Sequence, residues 1–284
     1  MIIEDASNSG DSIILEKLEG EVYVKKTIRK DIFRAKKSIL KQQRFNYIAL
    51  GNNVKISAVD VFDVKEGESY VEFKMPYVEG VVASEYSLNG SRAMGVSVSK
   101  SISLLLYEEL SQSVDIEIDS KIFIDKVKDI KNKSKKKVFD DYFAETLNVI
   151  SCIGNNIKIP AGRCHGDLTL SNIIFSTEGG CQLIDFLDSF IESPLQDVAK
   201  IRQDFEFGWS FRRMDENSIL KAKIFCKSFM PRAVLDIERL YPLASKIFLH
   251  MTLLRICPYV EDSKTEQWLL NSMDLTLKRL TQNG

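Results

Sequence analysis

The sequence predicts an α+β chain, in which a small antiparallel β-sheet lobe with one helix comes first and a larger, mainly helical lobe follows. Two observations support this fold class. Up to about residue 75, short runs rich in β-branched and aromatic residues are separated by turns that contain glycine. From about residue 80 onwards, apolar residues recur mostly at intervals of three and four, which is the spacing of an amphipathic helix. With 284 residues, the chain is long enough to bury a full hydrophobic core.

The N-terminal lobe, predicted to span residues 1–78, is expected to follow the order β-β-β-α-β-β. Its strands are predicted at 2–3, 12–18, 22–27, 56–64 and 70–75, and its helix at about 30–50. A glycine and two asparagines at 51–53 are expected to end the helix. Pro76 is expected to end the last strand and to mark a hinge.

The C-terminal lobe, predicted to span residues 79–284, is expected to be mostly helical. Its predicted helices include 99–112, 139–152 and much of 216–280. Two short apolar runs, at 173–175 and 181–184, are predicted to be strands on either side of a turn. A polar motif precedes the first of these strands, and an acidic residue ends the second.

Composition excludes several classes of partner. The net charge of -1 and a pI near 6.2 give no bulk attraction to nucleic acid or to an anionic membrane surface. The five cysteines have no Cys-x-x-Cys spacing and there are only two histidines, which argues against a zinc site and for reduced thiols. No apolar run approaches the roughly 20 residues that span a bilayer, and no signal peptide pattern is evident. We therefore expect a cytoplasmic protein without a nucleic acid or membrane partner.

The chemistry-bearing stretch is His165-Gly166-Asp167, followed by Asn172 and, after a second apolar run, by Asp185-Phe186. An Asp and an Asn five positions apart have the spacing of a kinase catalytic loop, and Asp-Phe resembles the start of the kinase metal-binding motif. Asp167 is the candidate base for a substrate hydroxyl. Asn172 and Asp185 offer oxygen ligands of the kind that Mg²⁺ prefers. Together they predict phosphoryl transfer from a nucleoside triphosphate.

The same residues, together with a Ser-Pro-x-x-Asp-Val-Ala segment that contains Asp197, resemble the aminoglycoside phosphotransferase and choline kinase-like family. That resemblance implies a two-lobed protein-kinase-like fold and ATP- and Mg²⁺-dependent transfer to a hydroxyl of a small molecule. It implies that Asp167 is the catalytic base, that Asn172 and Asp185 bind the metal, and that Asp197 supports the catalytic loop. Leu187, where protein kinases have glycine, favours the small-molecule branch. The imidazole of His165 is expected to be held by nearby backbone.

The nucleotide site is expected in the N-terminal lobe. Tyr23 and Lys25 share one face of a predicted strand, so Tyr23 is expected to stack on adenine while Lys25 binds the phosphates. Lys26, on the opposite face, is the second choice. Ser9 lies in the loop 5–11, which is expected to cover the phosphates. The segment 75–80 resembles the family hinge, and that resemblance implies that the carbonyl of Pro76 and the backbone N–H of Val78 bind adenine. Gln42 stands where kinases have a helix Glu, and it supplies no ion pair for the lysine.

The acceptor is expected to bind among the C-terminal helices. The candidate lining residues are Asp204, Glu206, Trp209, Arg212, Arg213, Arg255 and Tyr259. Acidic and basic side chains are mixed in this part of the sequence, which favours a sugar or another small alcohol over a polycationic antibiotic. Two alternatives remain open, an atypical protein kinase of the Bud or RIO type and a nucleotide-binding pseudokinase scaffold. Gln42 is the one feature that supports the scaffold.

Overall fold

The computed structural model describes residues 12–45, 48–50, 54–154 and 156–282. The predicted strand 2–3 and the loop that carries Ser9 lie outside these residues. Strands and helices follow in a mixed order: β1 Ser12–Leu18, β2 Glu21–Ile28, α1 Ile32–Gln43, β3 Ile48–Leu50, β4 Val54–Ala58, β5 Phe62–Glu66, β6 Val71–Pro76, β7 Gly80–Val82, α2 Ala83–Asn89, α3 Arg92–Ser111, β8 Val114–Ile118, α4 Lys121–Lys133, α5 Asp140–Cys152, β9 Ile157–Ala161, β10 Ile173–Ser176, β11 Cys181–Leu183, α6 Pro194–Phe205, α7 Glu216–Ser228, α8 Arg232–Leu240, α9 Pro242–Leu254 and α10 Ser263–Thr281.

Contacts within the chain divide it into two compact units. The first combines Met1–Ala83 with His165–Phe190, and the second combines Ser84–Cys164 with Ile191–Gly284. The sequence did not indicate that His165–Phe190 groups with the N-terminal strands. The predicted lobe boundary at residues 78 and 79 stays a prediction.

Two sheets form the first unit. One is antiparallel with the strand order β1-β2-β6-β5, and Tyr23 lies opposite both Glu16 on β1 and Pro76 on β6. The other has the order β3-β4-β11-β10-β7, with β4 and β11 running parallel. This second sheet recruits β10 and β11 from the middle of the sequence to the N-terminal unit. It thereby brings the motif residues on either side of these strands into the same unit as β2 and α1.

Helix α1 covers one face of the first sheet. Ala35 and Ile39 of the helix are buried against apolar side chains of the strands and of the segment before β5, and Val24, Ile28 and Ile184 pack against this cluster. The face of β2 that carries Val24 and Ile28 is therefore the inner face of the sheet. Lys26 lies between these two residues on the same face.

Two N-terminal predictions were wrong in their boundaries. The predicted helix 30–50 ends at Gln43, and Ile48–Leu50 pairs with β4 instead. Apolar spacing alone does not separate a short helical extension from a strand, and here antiparallel pairing with β4 prevailed. The predicted strand 56–64 is two strands, because β4 ends at Ala58 and β5 begins at Phe62 in the other sheet.

The second unit is mainly helical, as predicted. Helices α6 and α9 form its centre, and their buried side chains include Leu195, Ile201, Ile247 and Leu254. The two-stranded antiparallel sheet of β8 and β9 was missed, although Val114, Ile116 and Ile118 alternate with acidic residues in the pattern of a strand. The predicted α+β class, with an antiparallel sheet near the N-terminus and a larger helical part, is confirmed. No helix in the described residues is both long enough and apolar enough to cross a membrane.

Candidate active site

The segment before β10 orients the carboxylate of Asp167. The amide nitrogen of Asn172 donates to the backbone oxygen of Asp167 at 2.8 Å and to its Oδ2 at 3.1 Å. A short 3₁₀ turn over Leu170–Asn172 makes this possible, because it returns the chain toward Asp167. Asn172 therefore holds the candidate base through its nitrogen and leaves its own oxygen for another partner.

Asp185 lies two residues after the end of β11 and has a left-handed backbone conformation, with φ +59°. Such a conformation is unfavourable for a residue other than glycine and is often found at functional sites. The backbone N–H of Ile184 donates to the backbone carbonyl oxygen of Asn172 at 3.1 Å, next to the ladder between β10 and β11. This bond joins the two motif segments, so Asn172 and Asp185 lie on neighbouring segments of the chain.

Asn172 and Asp185 suit a hard cation. Within the described part of the chain, Oδ1 of Asn172 and Oδ2 of Asp185 have no hydrogen-bond donor, and neither is a buried unpaired atom. An amide oxygen and a carboxylate are donors that Mg²⁺ accepts, with phosphate and water oxygens completing its shell. No cluster of three or more His, Cys, Asp or Glu side chains in the described residues could hold a metal by itself. These two side chains would therefore hold magnesium only together with a phosphate ligand.

His165 is fully buried and joins the two motif segments. Its Nε2 lies 2.8 Å from the carbonyl oxygen of Ile184, and its Nδ1 accepts the N–H of Asp167 at 3.2 Å. A carbonyl only accepts, so the proton is on Nε2 and the ring is neutral. Burial lowers the pKa of His165 to about 4. The ring also packs 4.1 Å from Phe186, so this histidine has the structural role predicted from the sequence.

Gly166 is required by the same contact between segments. Its φ is +89°, and a Cβ at this position would lie 2.1 Å from the carbonyl oxygen of Leu187. The N–H of Leu187 donates to the oxygen of His165 at 3.1 Å. The absence of a side chain at Gly166 thus allows the catalytic segment and the Asp185 segment to approach closely.

The two neighbouring lysines have separate partners. Nζ of Lys26 lies 2.9 Å from Oδ1 of Asp185. Nζ of Lys25 lies 2.8 Å from Oε1 of Glu16, and the pKa of Lys25 is raised mainly by its hydrogen bond to that carboxylate. The preference for Lys25 over Lys26 is not supported by this geometry. Alternation along a strand identifies residues that share a face, but the packing of α1 decides which face is the inner one.

Tyr23 shares the outer face with Lys25. Its hydroxyl donates to Glu21 at 2.6 Å, and its ring lies edge-on to Phe62 at 5.4 Å between centroids. The residue of β2 that contacts Asp185 is Lys26, on the inner face of the sheet. The geometry therefore does not support stacking of Tyr23 on adenine beside Lys25, because both residues lie on the outer face. The N–H of Tyr77 donates to the carbonyl of Val22. Because hydrogen-bonded and non-hydrogen-bonded pairs alternate in an antiparallel ladder, the next pair, Tyr23 and Pro76, is not hydrogen-bonded, and the carbonyl of Pro76 points away from β2. Pro76 and Val78 remain predictions for adenine binding.

Helix α1 contacts the segment after Asp185 through a polar stripe that the sequence reasoning missed. Arg34 donates through Nε and Nη2 to the carbonyl of Asp188, at 3.3 and 3.0 Å. Ser38 accepts the N–H of Asp188 at 2.8 Å, and Nζ of Lys41 donates to the carbonyl of Leu187 at 3.0 Å. Positions 34, 38 and 41 lie on one side of a helix, and this spacing was a signal available in the sequence.

Gln42 lies with Ala35 and Ile39 on the buried face of α1. Its amide nitrogen donates to the carbonyl of Val59 at 2.8 Å and contacts the sulfur of Met75 at 3.4 Å. In the described residues it has no hydrogen bond to Lys25 or Lys26. Gln42 is therefore a core residue that satisfies a backbone carbonyl, and the stripe formed by Arg34, Ser38 and Lys41 provides the contact with the Asp185 segment.

The remaining candidates lie in the second unit, where Asp197 is buried in the first turn of α6. Several of the acceptor candidates have structural partners. Asp204 accepts the N–H and the hydroxyl of Ser210, and Glu206 pairs with Arg202 and Arg279. Trp209 and Arg212 instead lie together beside Trp268, which the sequence reasoning did not include.

Comparison with known proteins gives a family match over part of the chain and several structures of similar fold. Residues 124–218 match the model of a phosphotransferase enzyme family. No curated protein matches the chain in sequence. Aminoglycoside phosphotransferase APH(4)-Ia is similar in structure, with a TM-score of 0.55 and 13% identity, over 99% of this chain and 92% of that one. A thermostable mutant of that enzyme, in a ternary complex with AMP-PNP and hygromycin B, gives 0.56 and 15% over 99% and 92%.

Choline kinase LicA from Streptococcus pneumoniae is similar to the same degree, with a TM-score of 0.54 and 14% identity, over 99% of this chain and 92% of that one. At these identities the likeness establishes the fold. The family match over residues 124–218 and the protein-kinase-like fold shared with these structures confirm the predicted resemblance to the aminoglycoside phosphotransferase and choline kinase-like family.

Proposed function

We propose that this chain is a cytoplasmic phosphotransferase that moves the γ-phosphate of Mg-ATP to a hydroxyl of a small molecule. One observation carries the proposal: a single hydrogen-bonded unit contains Asp167, Asn172, Asp185 and Lys26. This set provides a base, two oxygen donors for magnesium and a cation for phosphate, which are the groups that phosphoryl transfer requires. The phosphotransferase family match and the nucleotide analogue bound to the APH(4)-Ia mutant support the same reading.

The reaction assigns one task to each side chain. The acceptor oxygen attacks the γ-phosphorus, the bond from that phosphorus to the bridging oxygen of ADP breaks, and the hydroxyl proton passes to Asp167. Asn172 keeps the Asp167 carboxylate oriented through the hydrogen bond at 3.1 Å. Magnesium, when bound by Asn172 and Asp185, neutralises charge on the phosphates.

We propose Lys26 as the phosphate-binding lysine, in place of Lys25. Its ammonium forms an ion pair with the carboxylate of Asp185, and only 12% of its side chain is exposed. A cation held beside the metal ligand can contact the phosphate oxygens that share the metal. Tyr23 and Lys25 are then outer residues of the sheet, and Ser9, Pro76 and Val78 remain candidates for nucleotide contacts.

An ADP-release screen tests this function directly. Purified chain with Mg-ATP is offered sugars, amino alcohols, aminoglycosides and nucleosides, and at least one class is expected to stimulate ADP release. Asp167→Asn should lower that stimulated rate by about 10²- to 10⁴-fold, while the thermal shift caused by Mg-ATP persists. Asp140→Asn is a matched control, because Asp140 is exposed in the first turn of α5. Wild-type turnover in Asp167→Asn would exclude the assigned base, and phosphate appearing only on protein would favour a protein kinase.

A further inference from the structure

The two tryptophans of the chain form one cluster in the second unit. Trp209 begins a short 3₁₀ turn after α6, Trp268 lies in α10, and their ring centroids are 5.2 Å apart at an angle of 54°. The indole N–H of Trp268 donates to the carbonyl of Phe207 at 2.5 Å, which fixes its orientation. Both rings are partly exposed. The pair therefore offers an ordered aromatic surface that solvent reaches.

A guanidinium group lies flat on this surface. The central carbon of the Arg212 guanidinium is 3.5 Å from the centroid of the Trp209 ring. Its Nη1 donates to the carbonyl of Trp209 at 2.8 Å, and its Nε makes a longer contact of 3.4 Å with the hydroxyl of Thr265. Stacking and these two contacts fix the plane of the guanidinium, so its remaining edge has a defined direction.

This cation lacks a carboxylate partner within the described residues. The nearby carboxylate of Asp262 is already used, because it caps α10 by accepting from Thr265 and also pairs with Arg213 at 2.9 Å. Partial burial lowers the pKa of Arg212 to about 10, and Arg213 adds repulsion. Asp262 and Asp204 attract this charge but form no ion pair with it in the described part of the chain, so an anion bound from solution would add the direct contact that the partly buried guanidinium lacks.

Two hydrogen-bond donors of this cluster are unused within the described residues. Nη2 of Arg212 has no acceptor among the described side chains and backbone groups. The indole N–H of Trp209 has none either, and it is not a buried unpaired group. A guanidinium edge next to an indole N–H suits a carboxylate or a phosphate, since both present several oxygens to neighbouring donors.

We propose that Trp209, Arg212 and Trp268 form a binding site for a small molecule that carries a carboxylate or phosphate group. The tryptophan rings contact the flat, C–H-rich body of the ligand, and Arg212 binds its anionic group. A quaternary ammonium ligand such as choline is disfavoured, because the guanidinium of Arg212 already covers the face of Trp209 that would attract it. The site stands on its own contacts and does not depend on the proposed phosphoryl transfer.

Intrinsic fluorescence tests this site, because all tryptophan emission of the chain comes from these two rings. Without nucleotide, the protein is titrated with inorganic phosphate, glucose 6-phosphate and gluconate, and with glucose and choline as uncharged and cationic comparisons. Saturable changes are expected with the anions alone. Arg212→Gln should weaken them at least tenfold and Arg212→Lys less, because lysine keeps the charge but loses the planar fork.

Arg239→Gln removes the same charge from an exposed position on α8 and should bind the anions as the wild type does. Circular dichroism and melting temperature verify that each variant is folded. An equal response to glucose or choline, no response to any anion, or an unchanged response in Arg212→Gln would overturn the proposal.

ADP release with Mg-ATP then separates two sources of the bound anion. If the anion belongs to the acceptor, a hydroxylated anion stimulates release, and Arg212→Gln raises its KM at nearly constant kcat. If the anion is a separate ligand, neutral alcohols stimulate release and the anion is not phosphorylated. Failure of every acceptor would count against the proposed function, whereas the fluorescence result would still decide the site.

Discussion

Nζ of Lys26 lies 2.9 Å from Oδ1 of Asp185, although the two residues belong to distant parts of the chain. The pair brings the inner face of β2 to the end of β11. This ion pair joins Lys26, the candidate for phosphate binding, to Asp185, a candidate metal ligand. In the proposed reaction these two side chains exchange their mutual contact for phosphate and magnesium.

The two lysines of β2 allow a matched test of this exchange. Lys26→Met should lower kcat/KM for ATP by about 10- to 100-fold, the loss expected for one charge-assisted contact to phosphate. Lys25→Met removes an equal charge from the adjacent residue, whose partner is Glu16, and should change kcat/KM less than about threefold. Steady-state ADP release at varied ATP measures both. The reverse order of effects would restore Lys25 to the phosphate site.

Asp185 should be necessary for magnesium-dependent nucleotide binding. Asp185→Ala removes both carboxylate oxygens, one of which pairs with Lys26 in the free chain. We expect Mg-ATP to raise the melting temperature of the wild-type protein but not that of this variant. Asp140→Ala, at an exposed position, is the control. A full thermal shift in Asp185→Ala would mean that the metal is held elsewhere.

The α1 stripe should set how much magnesium the enzyme needs. Lys41→Met and Ser38→Ala each remove one hydrogen bond to the backbone of Leu187 or Asp188, so the segment carrying Asp185 becomes less well held. Two such bonds are worth about 1 kcal/mol each, so the double variant should need at least about fivefold more magnesium for half-maximal rate. Lys36→Met is a control on the same helix, because Lys36 pairs with Glu66 at the surface. An unchanged magnesium dependence with a uniformly lower rate would contradict the positioning role.

Local spacing was sufficient to predict that the three polar residues of the motif lie close together, while their roles stay predictions. Asp167 and Asn172 lie five positions apart, and Asp185 follows the second of the two apolar runs after Asn172, so the hairpin of β10 and β11 brings all three together. The inner face of β2 was not predictable from the alternation of Lys25 and Lys26, since it depends on where α1 packs. The parallel pairing of β4 with β11 was equally beyond the sequence, because it joins segments from distant parts of the chain.

Gly166 should tolerate no side chain, in contrast to a glycine with a similar backbone. Gly166→Ala places a Cβ 2.1 Å from the carbonyl of Leu187, whereas Gly20, with φ +95°, has no heavy atom within 4 Å of the corresponding position. Gly20→Ala should cost about 1–2 kcal/mol for its backbone conformation alone. Gly166→Ala should cost clearly more and should also lower ADP release. Urea unfolding measures the free energy of unfolding of both variants. An equal loss of stability in Gly166→Ala and Gly20→Ala would mean that the close contact with Leu187 does not exclude a side chain at Gly166.

Two buried histidines should make the protein sensitive to acid. His250 lies between the hydroxyls of Thr146 and Thr276, at 2.8 Å from each, and burial lowers its pKa to about 3. Burial likewise lowers the pKa of His165 to about 4. Because both values are below the unfolded value of about 6.5, the unfolded chain binds protons that the folded chain excludes. Their contribution to stability is present above pH 6.5 and is lost as the pH falls toward 3.

At pH 5 each histidine should therefore reduce the free energy of unfolding by about 2 kcal/mol relative to pH 8, from the pKa difference alone. Urea unfolding at pH 8, 6 and 5 measures the combined loss. His250→Gln keeps a donor and an acceptor but has no titrating group, so it should remove about half of the histidine contribution to the pH dependence, whatever its stability at pH 8. Identical pH dependence in this variant and the wild type would mean that His250 is protonated without unfolding. Burial of the ring makes that outcome unfavourable, because a charged imidazolium would be enclosed away from water.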